Sequence, residues 1–570
     1  MRHQRLASVL SLCASAGVAL APPATADAVD DYLQRRMARE HIPGLSLVVI
    51  RNGQIVKAKG YGRASLELNV PARPDTVYDL ASTTKPFVAA AVLLLVQDGK
   101  LSLDDRVSRF VENTPESWKE ITLRHLLSHT AGIPDYLADL RRDFPNETPP
   151  EPIVKAAMEA PLNFPPGSKW AYSNTGYILL GMIVQKVSGE SYDALLQRRV
   201  FGPLGMTHTR RHTPDGVVPR RATGYLWYGG GFHNGEFLKF LMTNHGDRGL
   251  LSTALDLAKW DAALSSGRTL TPASTKLMWT PVIRFDGGYS YPFAYGLGWF
   301  IKSIHGHRQL SHPGGAPGTG AILSRYPDDD LTVILLANSS SAFIQALDLG
   351  VARHYIPDLA AVKPVRLRPA QLDAVAGYYN AYGSQLLKVM REDAWLLLDD
   401  GGGVNNEFLP VSATRFVAEE ADRAFTVTQD VRGAVTAATL RLGKDDLPVQ
   451  RIGPLARTLR PQPDPDPDRT RKIEAVLMAF AKGGKPVEEV PLLAPQARQD
   501  YARGPAPELA GIQGITYVAE QDVAARGIER HGAKVSRVLY YRLLADRGTR
   551  YVLVYLTADG LVTDQDTLAG

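Results

Sequence analysis

The sequence contains a single cysteine, Cys13, among 570 residues. It lies in an N-terminal segment that we expect to be removed, so the mature chain would have no disulfide, no thiol nucleophile and no thiolate metal site. The sequence also lacks any run of five or more Lys or Arg residues, and we therefore expect no nucleic acid partner. Beyond the N-terminal segment no uncharged apolar run reaches the roughly 18 residues of a membrane span, so no further span is expected.

The N-terminal 26 residues have the composition of a secretory signal. Arg2, His3 and Arg5 supply a positively charged start, residues 6–21 supply an apolar core, and Ala24–Ala26 (Ala-Thr-Ala) is a small-x-small cleavage site. We therefore expect an exported protein, periplasmic or secreted.

The remaining composition is ordinary for a globular protein, with 45% hydrophobic and 22% charged residues. At roughly 100–200 residues per domain the length predicts about three or four domains. Residues 28–358 alternate helical and strand patterns, which predicts a mixed α/β domain with an antiparallel sheet. Short strand patterns in residues 365–455 predict a small barrel or sandwich. Residues 456–470 are rich in Pro and Asp and predict a linker, and residues 471–570 predict a small α+β domain.

Within the first domain, helical patterns cover residues 28–40, 87–96, 174–189, 192–198 and 341–355. The second of these is apolar throughout, which indicates a helix buried on all sides. A hairpin is predicted for residues 44–61, and strands for 295–304, 320–326 and 331–337. Near the C-terminus we expect a helix at 471–481 and strands at 514–519, 535–544, 549–557 and 561–566.

The first candidate motif is Ser82–Lys85 (Ser-Thr-Thr-Lys), directly before the apolar helix. A spacing of three places Ser82 and Lys85 one turn apart on the same helix face, so that the amine can reach the hydroxyl. Pro86 removes the helical bond back to Ser82, which favours a helix that begins close to the serine. Free N–H groups at such an end can stabilise developing negative charge. A capping serine beside a solvated lysine is the structural alternative.

The second motif is Tyr172–Asn174 (Tyr-Ser-Asn), in a turn that leads into a helix. An ammonium near a phenol favours the phenolate and lowers its pKa, so Tyr172 is a candidate general base. Asn174 can hold both an amine and a substrate carbonyl. A second Tyr-x-Asn copy, Tyr378–Asn380, lies where alternating aromatic residues are typical of a core, and we do not assign it a function.

The third motif is His312–Gly315 (His-Pro-Gly-Gly), which we expect to open the strand that runs to Tyr326. A cationic or hydrogen-bonding side chain at a strand edge can receive a substrate carboxylate or carbonyl, and the glycines allow the backbone to approach the substrate closely. Pro313 has no N–H, so Gly315 is the expected oxyanion donor. His233–Gly235 also fits His-x-Gly, but its glycine-rich surroundings indicate a surface turn.

Together, and in this order, the three motifs resemble the serine β-lactamase-like family, which includes class C β-lactamases, D-alanyl-D-alanine carboxypeptidases, D-aminopeptidases and related esterases. The resemblance covers about Asp30 to Tyr355 and extends to the flanking segments 125–132, 166–177, 201–206, 249–254 and 295–298. It implies a β-lactamase-like antiparallel sheet flanked by helices. The two C-terminal regions look like the lipocalin-like barrel and small α+β appendage that some members carry.

The resemblance implies that Ser82 is the nucleophile and forms an acyl-enzyme that water later cleaves. Lys85 and Tyr172 share the proton taken from Ser82, and which of them is the base stays open. The backbone N–H groups of Ser82 and Gly315 form the implied oxyanion hole.

The implied substrate-binding residues are Asn174, His312 and Gly314. His312 stands where class C β-lactamases usually carry Lys, and a histidine there is typical of D-amino-acid peptidases and esterases of the family. We therefore expect a hydrolase of D-amino-acid-containing substrates. The alternatives are an esterase, a class C-like β-lactamase, or an inactive binding or sensor protein.

No cofactor is expected, because the sequence has neither a phosphate-binding P-loop nor an H-E-x-x-H metal motif. His125 and His129, four residues apart, lack a third ligand and are interpreted as structural. The sequence does not indicate an oligomeric state.

Overall fold

The computed structural model describes residues 27–137, 148–213, 216–228, 230–235, 245–285, 293–359, 364–381, 385–399, 406–418, 423–442, 445–482, 511–545 and 550–569, with short pieces between 490 and 509. The expected signal segment, residues 1–26 with Cys13, lies outside them. None of the helices in this described part of the chain is long and apolar enough to cross a bilayer.

The first region runs to about residue 353 and mixes helices with strands. Its helices are α1 (Ala28–Arg39), α2 (Lys85–Gln97), α3 (Leu123–Leu127), α4 (Pro150–Glu159), α5 (Asn174–Ser188), α6 (Tyr192–Leu196), α7 (Gly202–Leu204), α8 (Ala254–Ser266), α9 (Pro272–Met278) and α10 (Ile344–Arg353). Its strands are β1 (Gly44–Arg51), β2 (Gln54–Ser65), β3 (Val70–Pro71), β4 (Tyr78–Asp79), β5 (Arg210–Arg211), β6 (Tyr225–Tyr228), β7 (Gly231–Asn234), β8 (Leu250–Ser252), β9 (Ile283–Phe285), β10 (Phe293–Tyr295), β11 (Phe300–Ile304), β12 (His307–Ala316), β13 (Thr319–Tyr326) and β14 (Leu331–Ala337).

The described residues of this region form a nine-stranded antiparallel sheet in the order β3-β2-β1-β14-β13-β12-β11-β10-β9. Alternate side chains of its central strands enter different cores, as the period of two requires. On β14, Val333 and Leu335 pack in one hydrophobic cluster with α1 and α10, whereas Ile334 and Leu336 pack in another with α2 and α5. The sheet is therefore covered by helices on both faces, and the predicted mixed α/β fold is confirmed.

Helix α2 is apolar on every side, and its residues from Phe87 to Leu95 are at most 1% exposed. A helix of this composition is stable only inside a core. The predicted burial of this helix is confirmed, and its N-terminal end is thereby fixed against the sheet.

Two element predictions differ from the structure. The single strand expected at residues 295–304 is two strands, β10 and β11, because the chain turns at Gly298, which has φ 79°. The His-Pro-Gly-Gly motif does not open the strand to Tyr326. It lies in β12, one strand earlier, and β13 returns antiparallel to it.

The next region is a closed antiparallel barrel preceded by a short helix. It comprises α11 (Pro369–Val375), β15 (Gly377–Asn380), β16 (Leu386–Glu392), β17 (Trp395–Asp399), β18 (Asn406–Pro410), β19 (Arg415–Ala418), β20 (Arg423–Gln429), β21 (Val435–Leu442) and β22 (Asp445–Gly453). Large side chains fill its interior: Tyr379, Leu396, Phe416 and Phe425 are all fully buried in one cluster. The predicted small barrel is confirmed, and side chains of the barrel fill its interior.

The last region places one helix beside a small sheet. It comprises α12 (Pro467–Lys482), β23 (Ile512–Asp522), β24 (Glu529–Arg530), β25 (Ala533–Lys534), β26 (Arg537–Ala545), β27 (Arg550–Leu556) and β28 (Val562–Ala569). Helix α12 begins inside the expected linker, because the Asp466 carboxylate accepts a hydrogen bond from the Arg469 N–H (3.0 Å) and caps the first turn. The outward face of the barrel at Tyr378 packs against Val538 and Tyr540 of this sheet.

Candidate active site

Ser82 lies in a 3-10 turn, Ala81–Thr84, that leads directly into α2. Strands on two sides hold this turn. The Leu80 N–H donates to the Leu250 carbonyl oxygen of β8 (2.9 Å), and the Thr83 hydroxyl donates to the His312 carbonyl oxygen of β12 (3.1 Å). The turn therefore fixes Ser82 between β8 and β12.

The residue before Ser82 has a strained backbone. Ala81 has φ 44°, in the left-handed region that non-glycine residues rarely adopt. Its N–H donates to Asp79 Oδ1 (2.8 Å), and the Asp79 carboxylate forms a buried ion pair with Arg248 (2.9 Å). This pair holds the turn in place. This ion pair could not be identified from the sequence, although Arg248 directly precedes one of the flanking segments of the family resemblance.

Lys85 is fully buried and its amine points at Ser82. Lys85 Nζ lies 3.2 Å from Ser82 Oγ and also donates to Asn174 Oδ1 (2.8 Å) and to the carbonyl oxygen of Asp247 (2.6 Å). Burial lowers the pKa of Lys85 to about 7, against the opposing effect of the carboxylates of Asp247 and Asp135. A substantial fraction of the amine is therefore neutral near pH 7 and can accept a proton.

Tyr172 and Ser82 line the same cavity, and the Ser82 hydroxyl acts to lower the pKa of the phenol. Burial raises the pKa of Tyr172 well above its usual value. The expectation that the neighbouring ammonium lowers the pKa of this phenol is therefore wrong. Lys85 Nζ lies over the ring, 4.8 Å from its centroid, but the loss of solvent governs the pKa of the phenol. Tyr172 is thus a neutral phenol, which can pass a proton on.

His129 supports Tyr172 from the side. Its ring packs 4.3 Å from the Tyr172 ring, and its Nδ1 accepts a hydrogen bond from the Ser173 N–H (3.1 Å). Burial holds the pKa of His129 well below its usual value, with the charge of Lys85 acting in the same direction. The imidazole is therefore neutral and forms part of the packing around the phenol, in agreement with the structural role expected for it.

Asn174 begins α5 and connects Lys85 to a carboxylate. Its Oδ1 accepts from Lys85 Nζ, its Nδ2 donates to Asp135 Oδ2 (3.3 Å), and its backbone N–H donates to Asp135 Oδ1 (2.8 Å). Both ends of the amide are thus engaged, so Asn174 orients the lysine. Its expected contact with substrate stays a prediction. Asp135 lies three residues beyond Gly132 of the flanking segment and was not identified from the sequence.

His312 is 1% exposed, and both of its ring nitrogens have partners. Nδ1 lies 2.8 Å from the Pro313 carbonyl oxygen and Nε2 lies 3.0 Å from the Tyr295 hydroxyl. A carbonyl oxygen can only accept, so the proton is on Nδ1, and Nε2 accepts from the phenol. Burial, with the charge of Lys85 acting in the same direction, lowers the pKa of His312 to about 3. The ring is therefore neutral and does not provide a cation for a substrate carboxylate.

A cavity of about 450 Å³ opens over Ser82. It is lined by Ser82, Tyr172, Phe300, His312, Pro313, Gly314, Gly315, Ala316, Thr319, Gly320, Ser340, Ala342, Ile344 and Gln345. The structure thus brings the three sequence motifs to one place. Gly315, the expected second oxyanion donor, lies in the wall, and the pairing of its N–H with that of Ser82 stays a prediction.

Gly314 has a packing role that only glycine can fill. A Cβ at this position would lie 2.1 Å from the Leu80 carbonyl oxygen and 2.9 Å from the Thr83 backbone nitrogen. Gly315, its neighbour, has open space where a Cβ would stand. The first glycine therefore allows β12 to contact the turn that carries Ser82.

We expect Gly314→Ala to displace that turn. Overpacking of this kind costs roughly 1–3 kcal/mol of stability, and a shift of about 1 Å near the chemistry costs about 100-fold in rate. Thermal unfolding and the rate of Ser82 labelling by a fluorophosphonate measure the two effects. Gly315→Ala is the matched control and should leave the unfolding temperature unchanged. Equal unfolding temperatures and labelling rates for the two variants would contradict the packing role of Gly314.

The remaining candidates from the sequence lie elsewhere. His125 Nδ1 accepts from the Thr122 N–H (3.3 Å) and completes a helix cap. Asn380 lies in β15 and donates to Gln450 and to the Glu529 carbonyl oxygen, which connects the barrel to the last region. His233 lies in the β6–β7 hairpin, stacked on the Tyr228 ring at 3.7 Å, and so occupies a strand where we expected only a turn.

The chain matches one protein family and is similar to three known proteins. The family model described as Beta-lactamase matches residues 29–353. The chain is 30% identical to penicillin-binding protein 4* of Bacillus subtilis, over 68% of this chain and 90% of that protein. It resembles the octameric penicillin-binding protein homologue from Pyrococcus abyssi, with 26% identity, a TM-score of 0.57 and coverage of 74% of this chain and 99% of the other. It also resembles the D-amino acid amidase from Ochrobactrum anthropi SV3 complexed with D-phenylalanine, with 26% identity, a TM-score of 0.50 and coverage of 58% and 96%.

Proposed function

Because this chain belongs to the serine β-lactamase-like family of hydrolases, which its residues 29–353 match, we propose that it cleaves amide or ester bonds through an acyl intermediate on Ser82. We infer that its substrates contain D-amino acid residues and that it acts in the periplasm or outside the cell. The likeness to a D-amino acid amidase supports the substrate class. The signal-like N-terminal segment supports export.

One observation carries the proposal. The amine of Lys85 is buried, lies 3.2 Å from Ser82 Oγ, and has a pKa lowered to about 7. A buried lysine at that pKa is a proton acceptor at neutral pH, and a serine beside it becomes a nucleophile. A binding-only protein has no need for a lysine that is costly to bury in this position.

The proposed reaction has two half-reactions. In the first, Lys85 takes the proton of Ser82 as Oγ bonds to the substrate carbonyl carbon, and the N–H groups of Ser82 and Gly315 bind the oxyanion. The leaving group departs with a proton that Lys85 returns through Tyr172. In the second, water loses a proton to the lysine amine and attacks the acyl carbon. The bond to Ser82 Oγ then breaks, and the serine regains its proton.

The neutral state of Tyr172 supports a division of roles between Tyr172 and Lys85. A phenol with a raised pKa is a poor base but a good relay, since it accepts one proton as it donates another. Lys85 is therefore the base in this proposal. Asn174 holds the amine in line with Ser82, and His312 stiffens the wall that carries Gly315.

A substrate panel tests the proposed function. D-alanine p-nitroanilide should be hydrolysed at least about tenfold faster than its L-enantiomer, a difference of about 1.4 kcal/mol in transition-state binding. Hydrolysis of p-nitrophenyl acetate alone would favour the esterase alternative, and turnover of nitrocefin would favour a β-lactamase. If no substrate were hydrolysed and a fluorophosphonate left Ser82 unlabelled, the protein would be a binding or sensor protein.

The rate of acylation should depend on pH in a way that identifies the base. Only the neutral amine of Lys85 accepts a proton, and its pKa is lowered to about 7. The labelling rate should therefore rise about tenfold per pH unit below pH 7 and level off above it. Fluorophosphonate labelling between about pH 5 and about pH 9 measures this profile. A rate that still rises above about pH 9 would instead indicate the phenolate of Tyr172, whose pKa is raised.

A further inference from the structure

We propose that the barrel positions one wall of the active-site cavity through a buried set of charges, and that it thereby influences how tightly substrate binds. This set, here called the charge network, consists of Arg36, Arg39 and Glu40 at the end of α1 and Glu407 of β18. The inference gives the barrel a role in the catalytic region. It goes beyond the proposed function, which does not involve the barrel.

The first contact of the charge network is between the barrel and α1. Glu407 Oε1 accepts a hydrogen bond from Arg39 Nη1, and the two side chains are only 10% and 13% exposed. Arg39 is the last residue of α1, and its Nη2 also lies 3.5 Å from Glu40 Oε1. The guanidinium of Arg39 is therefore shared between a carboxylate of the barrel and one of the catalytic region.

The second contact is between α1 and the start of α10. Glu40 Oε2 accepts the Phe343 N–H (3.2 Å), directly before α10. Arg36 Nε binds Glu40 Oε1 at 2.5 Å, and Arg36 Nη1 donates to the Tyr32 hydroxyl (3.1 Å). That hydroxyl donates to the Ala346 carbonyl oxygen (3.2 Å). Arg36 thus holds the Glu40 carboxylate and the Tyr32 hydroxyl, and these two groups bind the backbone at the start of α10.

This first turn is part of the cavity wall. Ala342, Ile344 and Gln345 flank Phe343 or follow it, and all three line the cavity over Ser82. A hydrogen bond to a charged carboxylate is among the stronger ones in proteins. The position of the cavity wall therefore depends on the hydrogen bond between Glu40 and the Phe343 N–H. The position of the Glu40 carboxylate in turn depends on Arg39, which contacts both Glu40 and Glu407.

Removing the barrel carboxylate should disturb this arrangement. With Glu407 neutral, a buried guanidinium loses a charged partner and draws more strongly on Glu40. The carboxylate of Glu40 then moves away from the Phe343 N–H. The wall residues 342–345 do not include the nucleophile or Lys85, so the change should affect binding more than chemistry.

Hydrogen exchange on the full-length protein tests the structural step. In Glu407→Gln, the peptide covering residues 340–347 should exchange about fivefold faster or more than in the unchanged protein. Asp446→Asn is the matched control, because it removes a carboxylate from another barrel ion pair, with Arg441. The two side chains of that pair are 50% and 40% exposed, and neither is among the residues that line the cavity. Equal exchange of residues 340–347 in the two variants would overturn the proposal. This measurement does not require activity, so its failure is distinct from failure of the proposed function.

Labelling kinetics test the consequence for binding. Saturation curves for a fluorophosphonate give a dissociation constant and a maximal rate of acylation. Glu407→Gln should raise the dissociation constant about threefold to tenfold and change the maximal rate less than twofold. Loss in the maximal rate alone, or no change in either constant, would contradict an effect on binding.

A second pair of variants covers the case in which Glu407→Gln does not fold. Phe343 has φ −77°, which proline accepts, so Phe343→Pro removes the N–H that Glu40 binds. Phe343→Ala removes the same aromatic ring but keeps the N–H. Phe343→Pro should weaken fluorophosphonate binding at least threefold relative to Phe343→Ala. Equal binding by these two variants would show that the contact to Glu40 does not position the wall.

Discussion

Ser82→Ala is expected to abolish covalent labelling and to lower hydrolysis of any substrate by about a millionfold, the loss typical of a serine nucleophile. The hydroxyl is the atom that Lys85 faces at 3.2 Å, and alanine has no oxygen that can attack. Fluorophosphonate labelling detected by mass spectrometry and initial rates on p-nitrophenyl acetate measure the two effects. The substitution removes one atom from a site whose shape the backbone sets, so the unfolding temperature should change little.

Ser340→Ala is the control for this substitution. Ser340 also lines the cavity, but Lys85 Nζ does not contact it among the hydrogen bonds of the described residues. This variant should keep labelling within about threefold of the unchanged protein, since a hydroxyl in the wall makes no bond to the substrate carbon. If the Ser82 variant hydrolysed substrate as fast as the Ser340 variant, the nucleophile would have to be another residue.

Lys85→Met is expected to reduce the rate of acylation by about 10³-fold to 10⁴-fold, at the upper end of what a general base contributes. Methionine has a similar length but no lone pair on nitrogen, so the Ser82 proton loses its acceptor. It also leaves Asn174 Oδ1 and the Asp247 carbonyl oxygen without this donor, so some loss of stability is expected. Labelling rates at several pH values measure the effect.

The pH profile separates this loss from general damage. In Lys85→Met the rise in rate through about pH 7 should disappear, because the group that titrates there has been removed. Tyr172→Phe should be slower but should retain the rise, since the lysine remains. A rise that persisted near pH 7 in Lys85→Met would assign the base to another residue.

Much of the catalytic region follows from local sequence signals. The apolar stretch from Phe87 to Leu95 leaves a helix no exposed face, so its burial could be predicted. The three-residue spacing of Ser82 and Lys85 fixes their distance within one turn, and the structure gives 3.2 Å between Oγ and Nζ. These features depend on neighbours in the chain.

The features that could not be predicted depend on distant residues. The pKa of Tyr172 is governed by burial, and burial depends on packing that a spacing of residues does not reveal. The hydrogen bond to His312 Nε2 comes from the Tyr295 hydroxyl, 17 residues earlier in the chain. The ion pair between Asp79 and Arg248 joins residues 169 apart. Sequence motifs can indicate which residue types form a site. They do not indicate which residues so far apart in the chain contact each other, because that depends on the fold.

The interior of the barrel is filled by its own side chains, which bears on where the barrel can contact other groups. Some eight-stranded barrels bind a small ligand in their interior. In this barrel the side chains of Tyr379, Phe416 and Phe425 occupy the interior. A closed ring also offers no free strand edge for a guest chain. The barrel therefore meets the rest of the protein through its outer surface, at residues such as Glu407 and Tyr378.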